Sequence, residues 1–278
     1  MNTLVFSLLV WFGSLSAGLL GALTGLGGGV VIVPLLTVIF GVDIHYAIGA
    51  SLVSVIATSS GAASAYVKEG YTNMRLGMFL EVATTFGAIA GAVVAQKIAP
   101  GGIAIIFGIV LLYSAYLSRQ HHSQDQDSVT PDPLATRLHL NGTYPTPTGE
   151  QSYNIRGVPF GFGLMFVAGV LSGLLGIGSG ALKVLAMDQI MHIPFKVSTT
   201  TSNFMIGVTA AASAGIYLNR GYIDPALAMP VMLGVLFGAL LGARLLVKSK
   251  VKLLRNIFSG VILVLALEMI YKGLTGRI

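Results

Sequence analysis

Lys183 stands three residues beyond a glycine cluster in "SGLLGIGSGALKVLAM" (172–187), inside an otherwise apolar run. A lysine so placed is starved of water unless it lines a cavity or meets a counter-charge, so it suits an anionic ligand. An earlier stretch, "GALTGLGGGVVIVPLL" (21–36), has the same form without the lysine. Clustered glycines interrupt a helix, and in lipid each unpaired backbone N–H costs several kcal/mol unless protein, water or a ligand meets it. A helix restarting after such a break turns free N–H groups and a positive dipole end toward whatever lies there, which favours an anion. Gly25, Gly27, Gly28 and Gly29 of the first break, and Gly178, Ser179 and Gly180 of the second, are therefore candidate substrate-binding residues together with Lys183. Each break is followed by a hydroxyl-rich segment, "ASLVSVIATSS" (50–60) and "STTTSNFMIGVT" (198–209). Ser51, Thr201, Ser202 and Asn203 are the candidates there for completing the hydrogen-bond shell of an oxyanion.

Competing readings use the same residues. Single glycines in membrane helices serve close packing, which is the assignment for Gly87, Gly91, Gly238 and Gly242. Lys183 has a pairing alternative in Asp188, and a snorkelling one at the interface. "GIGSG" also resembles the setting of an intramembrane serine nucleophile, Ser179. The bases on offer are His192, at the far end of the same segment, and Lys183, four residues on. Glu81 is either a proton carrier or a hydrated residue near the membrane surface. Tyr66 and Tyr217 read as interface-belt residues, and Tyr71 or Tyr222 as gates. The histidines show no metal-ligand spacing, no cofactor motif is present, and without cysteine there is no disulfide or thiolate site.

The elements that must position these residues are membrane helices. The 278-residue chain is 54% hydrophobic and 9% charged, with a net charge of +6. That composition does not suit a water-facing surface, and apolar runs of about 20 residues recur throughout. Its basic residues lie between apolar runs, as topology signals do, and not in a nucleic-acid patch. Sliding the chain by 151 positions lays Gly25, Gly27 and Gly29 on Gly176, Gly178 and Gly180, Ser51 on Ser202, Thr58 on Thr209, Tyr66 on Tyr217 and Tyr71 on Tyr222. The chain thus divides into repeat 1 (1–118), a polar linker loop (119–157) and repeat 2 (158–278). Ten segments are expected, at 3–24, 29–41, 47–66, 75–97 and 102–118, then 158–177, 180–193, 199–218, 225–247 and 253–271, the second of each five too short for an upright crossing. Five segments per half would invert repeat 2 relative to repeat 1, and placing the linker and the Arg244–Arg255 loop inside gives the expected positive bias. The fold class is an all-α polytopic membrane protein of two inverted repeats, with one short or broken helix in each.

"GLGGGVVIVPLL", "AIGASLVSV" and "GYTNMRLGMFLEVATTFGAIAGAVVA", with the duplicated layout and polar central loop, resemble the TauE/SafE sulfite exporter family, also called the domain-of-unknown-function 81 group. The resemblance implies a secondary transporter of sulfite, sulfoacetate or related sulfonates in the bacterial inner membrane, driven by protons or membrane potential. Its motif positions fall on Gly25, Gly27, Gly28, Gly29, Pro34 and Ser51. Repeat 2 departs from the pattern, with Ser179 in the glycine cluster, Lys183 beside it and no proline opposite Pro34. A passive anion channel is the alternative function, and a serine hydrolase a remoter one.

Overall fold

The structure is a computed structural model that describes residues 3–24, 28–68, 70–117, 132–146, 149–246 and 251–276. Repeat 1 contains α1 (Thr3–Thr24), α2 (Gly29–Pro34), α3 (Ile44–Lys68), α4 (Met74–Ala95) and α5 (Pro100–Leu117). The central segment supplies α6 (Pro133–Arg137) and an antiparallel hairpin of β1 (Gly142–Thr146) and β2 (Gly149–Tyr153). Repeat 2 contains α7 (Val158–Leu175), α8 (Gly180–Leu185), α9 (Phe195–Asn219), α10 (Pro225–Leu246) and α11 (Val251–Thr275). Both short helices, α2 and α8, continue as a π-helical turn, Leu35–Ile39 and Ala186–Ile190. Helix starts recur at the sequence offset of the duplication, since Gly29, Ile44, Met74 and Pro100 correspond to Gly180, Phe195, Pro225 and Val251. The π turn forms in repeat 2 without a proline, so Pro34 is not its cause.

The long helices expose many large apolar residues and bury small ones where they touch, unlike a water-soluble bundle. On α4, Gly77, Ala83, Thr84, Gly87, Ala88, Gly91 and Ala92 face inward, while Met78, Val82, Phe86, Ile89 and Val93 are exposed. Such an outer surface suits lipid, and small inward residues let backbones touch. They do so between repeats. A methyl group at Gly87 or Gly91 would run into the carbonyls of Phe166 and Val170 on α7, and one at Gly238 into that of Leu15 on α1. The packing assignment thus holds at Gly87, Gly91 and Gly238, whereas the surroundings of Gly242 lie outside the described residues.

The pairings are reciprocal, because α1 packs on α10 as α4 packs on α7, and α3 and α5 pack on their own counterparts α9 and α11. Gly101 faces Gly273, and Gly108 faces Ala266 and Ile270, so the two fifth helices run antiparallel.

The expected polar loop is folded where it is described. Asp132 Oδ1 accepts from the Leu134 N–H at 2.9 Å and its Oδ2 from the Val158 N–H at 3.1 Å, capping α6 and α7 at once. Asn141, part of an apparent glycosylation sequon, accepts from the Ile155 N–H at 2.9 Å and so has a structural role. Asn73 joins this cap to the membrane helices. Its Oδ1 accepts from the Leu76 N–H at 3.0 Å, its Nδ2 donates to Leu140 O and to the Tyr153 hydroxyl, each at 2.8 Å, and its own N–H donates to Thr201 Oγ1 at 3.1 Å. Burial lifts the Tyr153 phenol above its ordinary 10.0, opposed by the Asn73 hydrogen bond. Asn73→Leu removes three of those four bonds and strands buried partners, so it is expected to destabilise the protein by about 2–3 kcal/mol. Asn73→Asp, which keeps the cap to Leu76, is expected to lose less; thermal unfolding in detergent compares the two.

Candidate functional site

The second break is a run of left-handed backbone. Gly176 and Gly178 both have φ of 69° and Ser179 has φ of 50°. Glycine tolerates that region freely, whereas serine occupies it at a cost of roughly 1 kcal/mol or more. Ser179 is 3% exposed, and its Oγ is a buried hydroxyl without a hydrogen-bond partner among the described residues. At the corresponding place in repeat 1, Gly28 is right-handed, with φ of −64°. The two breaks therefore share sequence and position but not backbone conformation. Gly25 and Gly27 lie outside the described residues.

Ser51 draws the breaks together. Its hydroxyl lies 2.7 Å from Gly176 O and 3.5 Å from Gly29 O, so one side chain on α3 reaches carbonyls of both interruptions. The repeat counterpart Ser202 donates to Gly180 O at 3.3 Å. Ser51 thus serves the carbonyl freed at the end of α7, and Ser202 the first carbonyl of α8. Gly29 approaches closely enough that a side chain there would meet Ser51 Oγ at 2.9 Å and Gly176 O at 3.1 Å. Thr201 is buried and accepts from the Asn73 N–H, tying α9 to the start of α4, while Asn203 is half-buried on α9.

Lys183 is fully buried and does not snorkel. Its ammonium donates to Thr209 Oγ1 and lies 4.0 Å from Glu81 Oε2. Thr209 Oγ1 donates to Glu81 Oε1 at 2.6 Å, and Thr85 Oγ1 donates to the same oxygen at 3.2 Å. Glu81 Oε2 is buried with no hydrogen-bond donor among the described residues. The lysine is thus joined to a carboxylate of repeat 1 across a threonine of repeat 2, and its ion-pair partner is Glu81 and not Asp188. Glu81 is 7% exposed, which removes its alternative as a hydrated surface residue. The positions equivalent to Lys183, Thr209 and Glu81 are Ile32 and Thr58 of repeat 1 and Met232 of repeat 2, so the charged pair occurs once. His192 is exposed at the end of its segment, with Nδ1 3.1 Å from Ile190 O.

At the two ends of the α3–α9 pair the same aromatic contact recurs. The Tyr222 ring stacks on His45 at 5.0 Å, and the Lys196 ammonium sits 3.8 Å above the Tyr71 ring. These are equivalent positions in the two repeats. Tyr217 is not a belt residue: it is fully buried, and its hydroxyl donates to Gly173 O at 3.2 Å. The side chain of Tyr66 lies outside the described residues. An open cleft of about 340 Å³ lies at the hairpin, lined by Asn73, Arg75, His139, Asn141 and Tyr153 among others, and no break residue borders it. Residues 176–180 are all buried, so both the break and Lys183 are closed off in this conformation.

The sequence profile described as sulfite exporter TauE/SafE matches residues 10–269, nearly the whole chain. The chain belongs to this family. Among its relatives, the probable membrane transporter protein YunE of Bacillus subtilis is 30% identical over 277 residues, covering 97% of this chain and 98% of that one. YdhB of the same organism is 26% identical over 235 residues, covering 82% and 85%. A probable membrane transporter protein of Methanocaldococcus jannaschii is 27% identical over 271 residues, covering 91% of each. No solved structure matches the chain. Family membership and relatives named as transporters identify a membrane transport protein, consistent with its lipid-facing surface.

Proposed function

We propose that this chain is a secondary transporter of small sulfur-containing or organic anions, such as sulfite, sulfoacetate or related sulfonates, in a bacterial inner membrane. The observation that carries the reading is Lys183: a buried ammonium on the short helix after the second break, four residues beyond Ser179 with its unpartnered hydroxyl. Buried lysines in membrane proteins face partners or pathways, and an unmet hydroxyl at a glycine break offers a donor to an oxyanion. The Ser51 and Ser202 hydroxyls are engaged by Gly176 O and Gly180 O, leaving Lys183 and Ser179 as the donors for the ligand.

Alternating access follows from an inverted-repeat reading, supported by the reciprocal helix pairs and by the antiparallel contact of α5 with α11. Tyr71 and Tyr222, with Lys196 and His45, are placed to act as gates at opposite ends. Purified protein should be stabilised by the transported anion by about 2.7 kcal/mol when the anion stands at one hundred times its Kd. Thermal unfolding with sulfite, sulfoacetate and isethionate, against sulfate, phosphate and chloride at matched ionic strength, tests this. If none of the sulfur anions stabilises the protein beyond chloride, the reading is wrong.

A further inference from the structure

We propose that Glu81 is a proton site coupled to anion binding at Lys183: when an anion occupies the ammonium, Glu81 takes up one proton on Oε2, and anion and proton move together. This rests on the reading of the second break as an anion site. In the described conformation one buried cation balances one buried carboxylate at 4.0 Å, bridged by Thr209. An arriving monoanion would set two negative charges against the single ammonium in a buried site, which a low-dielectric interior does not support. Protonating Glu81 restores the balance. The bond formed is O–H on the carboxyl, the ammonium keeps its protons, and no electron changes hands.

The geometry singles out the oxygen. Oε1 already accepts from Thr209 and Thr85, whereas Oε2 is buried and lacks a donor among the described residues. The other ionisable groups on the elements packed against the pair lie further along the chain. From α4 the pair is faced by the hydroxyls of Thr84 and Thr85, and α7 carries no ionisable residue. Helix α8 contributes Lys183 itself, with Asp188 five residues further along the π turn. On α9 the ionisable side chains, Lys196 and Tyr217, lie thirteen and eight residues from Thr209, and Arg75 of α4 lies six residues from Glu81. The equivalent positions, Ile32 of repeat 1 and Met232 of repeat 2, are uncharged, so the fold itself does not require the charges.

The test counts protons in weakly buffered, detergent-solubilised protein near neutral pH, read with an indicator dye as isethionate or methanesulfonate, both monoanions, is added. Neither probe has a group that titrates there, unlike sulfite. Wild type is expected to take up about one proton per anion bound, with anion affinity falling as pH rises, toward tenfold per unit. Glu81→Gln is expected to be stabilised by the same anions with no proton uptake and no such pH dependence. Stabilisation of wild type without proton uptake, or undiminished uptake by Glu81→Gln, overturns the proton site and leaves the transporter reading standing. Failure of both probes to stabilise wild type overturns the sulfonate site and the coupling with it. The wild-type proton count decides the matter even if the variant does not fold.

Discussion

Lys183→Met is expected to remove anion-dependent stabilisation altogether and to lower stability by about 3–5 kcal/mol, the usual cost of breaking a buried ion pair from one side. The second figure arises from what is left behind. Glu81 is 7% exposed, so without the ammonium its carboxylate is a buried charge held by threonine hydroxyls, Thr209 and Thr85 among them. Lys183→Met/Glu81→Gln removes both charges and fills similar volume, and the matching positions, Ile32 of repeat 1 and Met232 of repeat 2, already carry uncharged side chains. The double variant should therefore recover most of the lost stability while remaining unresponsive to anions. Unfolding of the wild type, both single variants and the double variant, with and without sulfoacetate, forms a complete cycle. A double variant no more stable than Lys183→Met alone would show that Glu81 and Lys183 are not energetically coupled.

The outline of this site was legible because its strongest signals are local. Apolar run length and the self-alignment place the long helices and both short ones, since crossing a bilayer imposes length on sequence. The observed α1, Thr3–Thr24, coincides with the expected segment, and the others shift by a few residues at their ends. What eluded the sequence was long-range. Lys183 meets Glu81 across 102 positions, and no periodicity connects them. A hint existed, for an acid and a lysine each stranded in an apolar run are costly separately and satisfied together. Thr201 looked like part of a ligand shell because it sits in a hydroxyl-rich run, yet its neighbour in space is the Asn73 N–H. The central segment read as a polar loop because its order comes from Asp132 and Asn141 bonding to backbone and from a few scattered apolar residues, Ala135, Leu140, Tyr153 and Ile155, buried without a regular period. The breaks, finally, match in sequence while differing in backbone, as Ser179 is left-handed and Gly28 is not.

The closeness of α4 and α7 gives the second large effect, because these helices carry the carboxylate and lead into the break. Gly173 lies three residues before Gly176, and a methyl group there would run into the carbonyl of Ala88, with Ala92 N only 2.9 Å away. Backbone, unlike a flexible side chain, cannot turn aside, so Gly173→Ala must push α4 from α7. A cost of about 3 kcal/mol is expected, at the upper end of ordinary overpacking. Gly215, in α9, has no atom within 4 Å of the same position, and there alanine should gain up to about 1 kcal/mol from helix propensity. The two substitutions are chemically identical and should have opposite signs in thermal unfolding. Since α4 bears Glu81, displacing it also lengthens the path from Glu81 to Thr209 and Lys183, so Gly173→Ala should weaken the anion response as well as the fold. Gly215→Ala should leave that response unchanged. A Gly173→Ala protein as stable as Gly215→Ala would mean that the repeats do not meet backbone to backbone along α4 and α7.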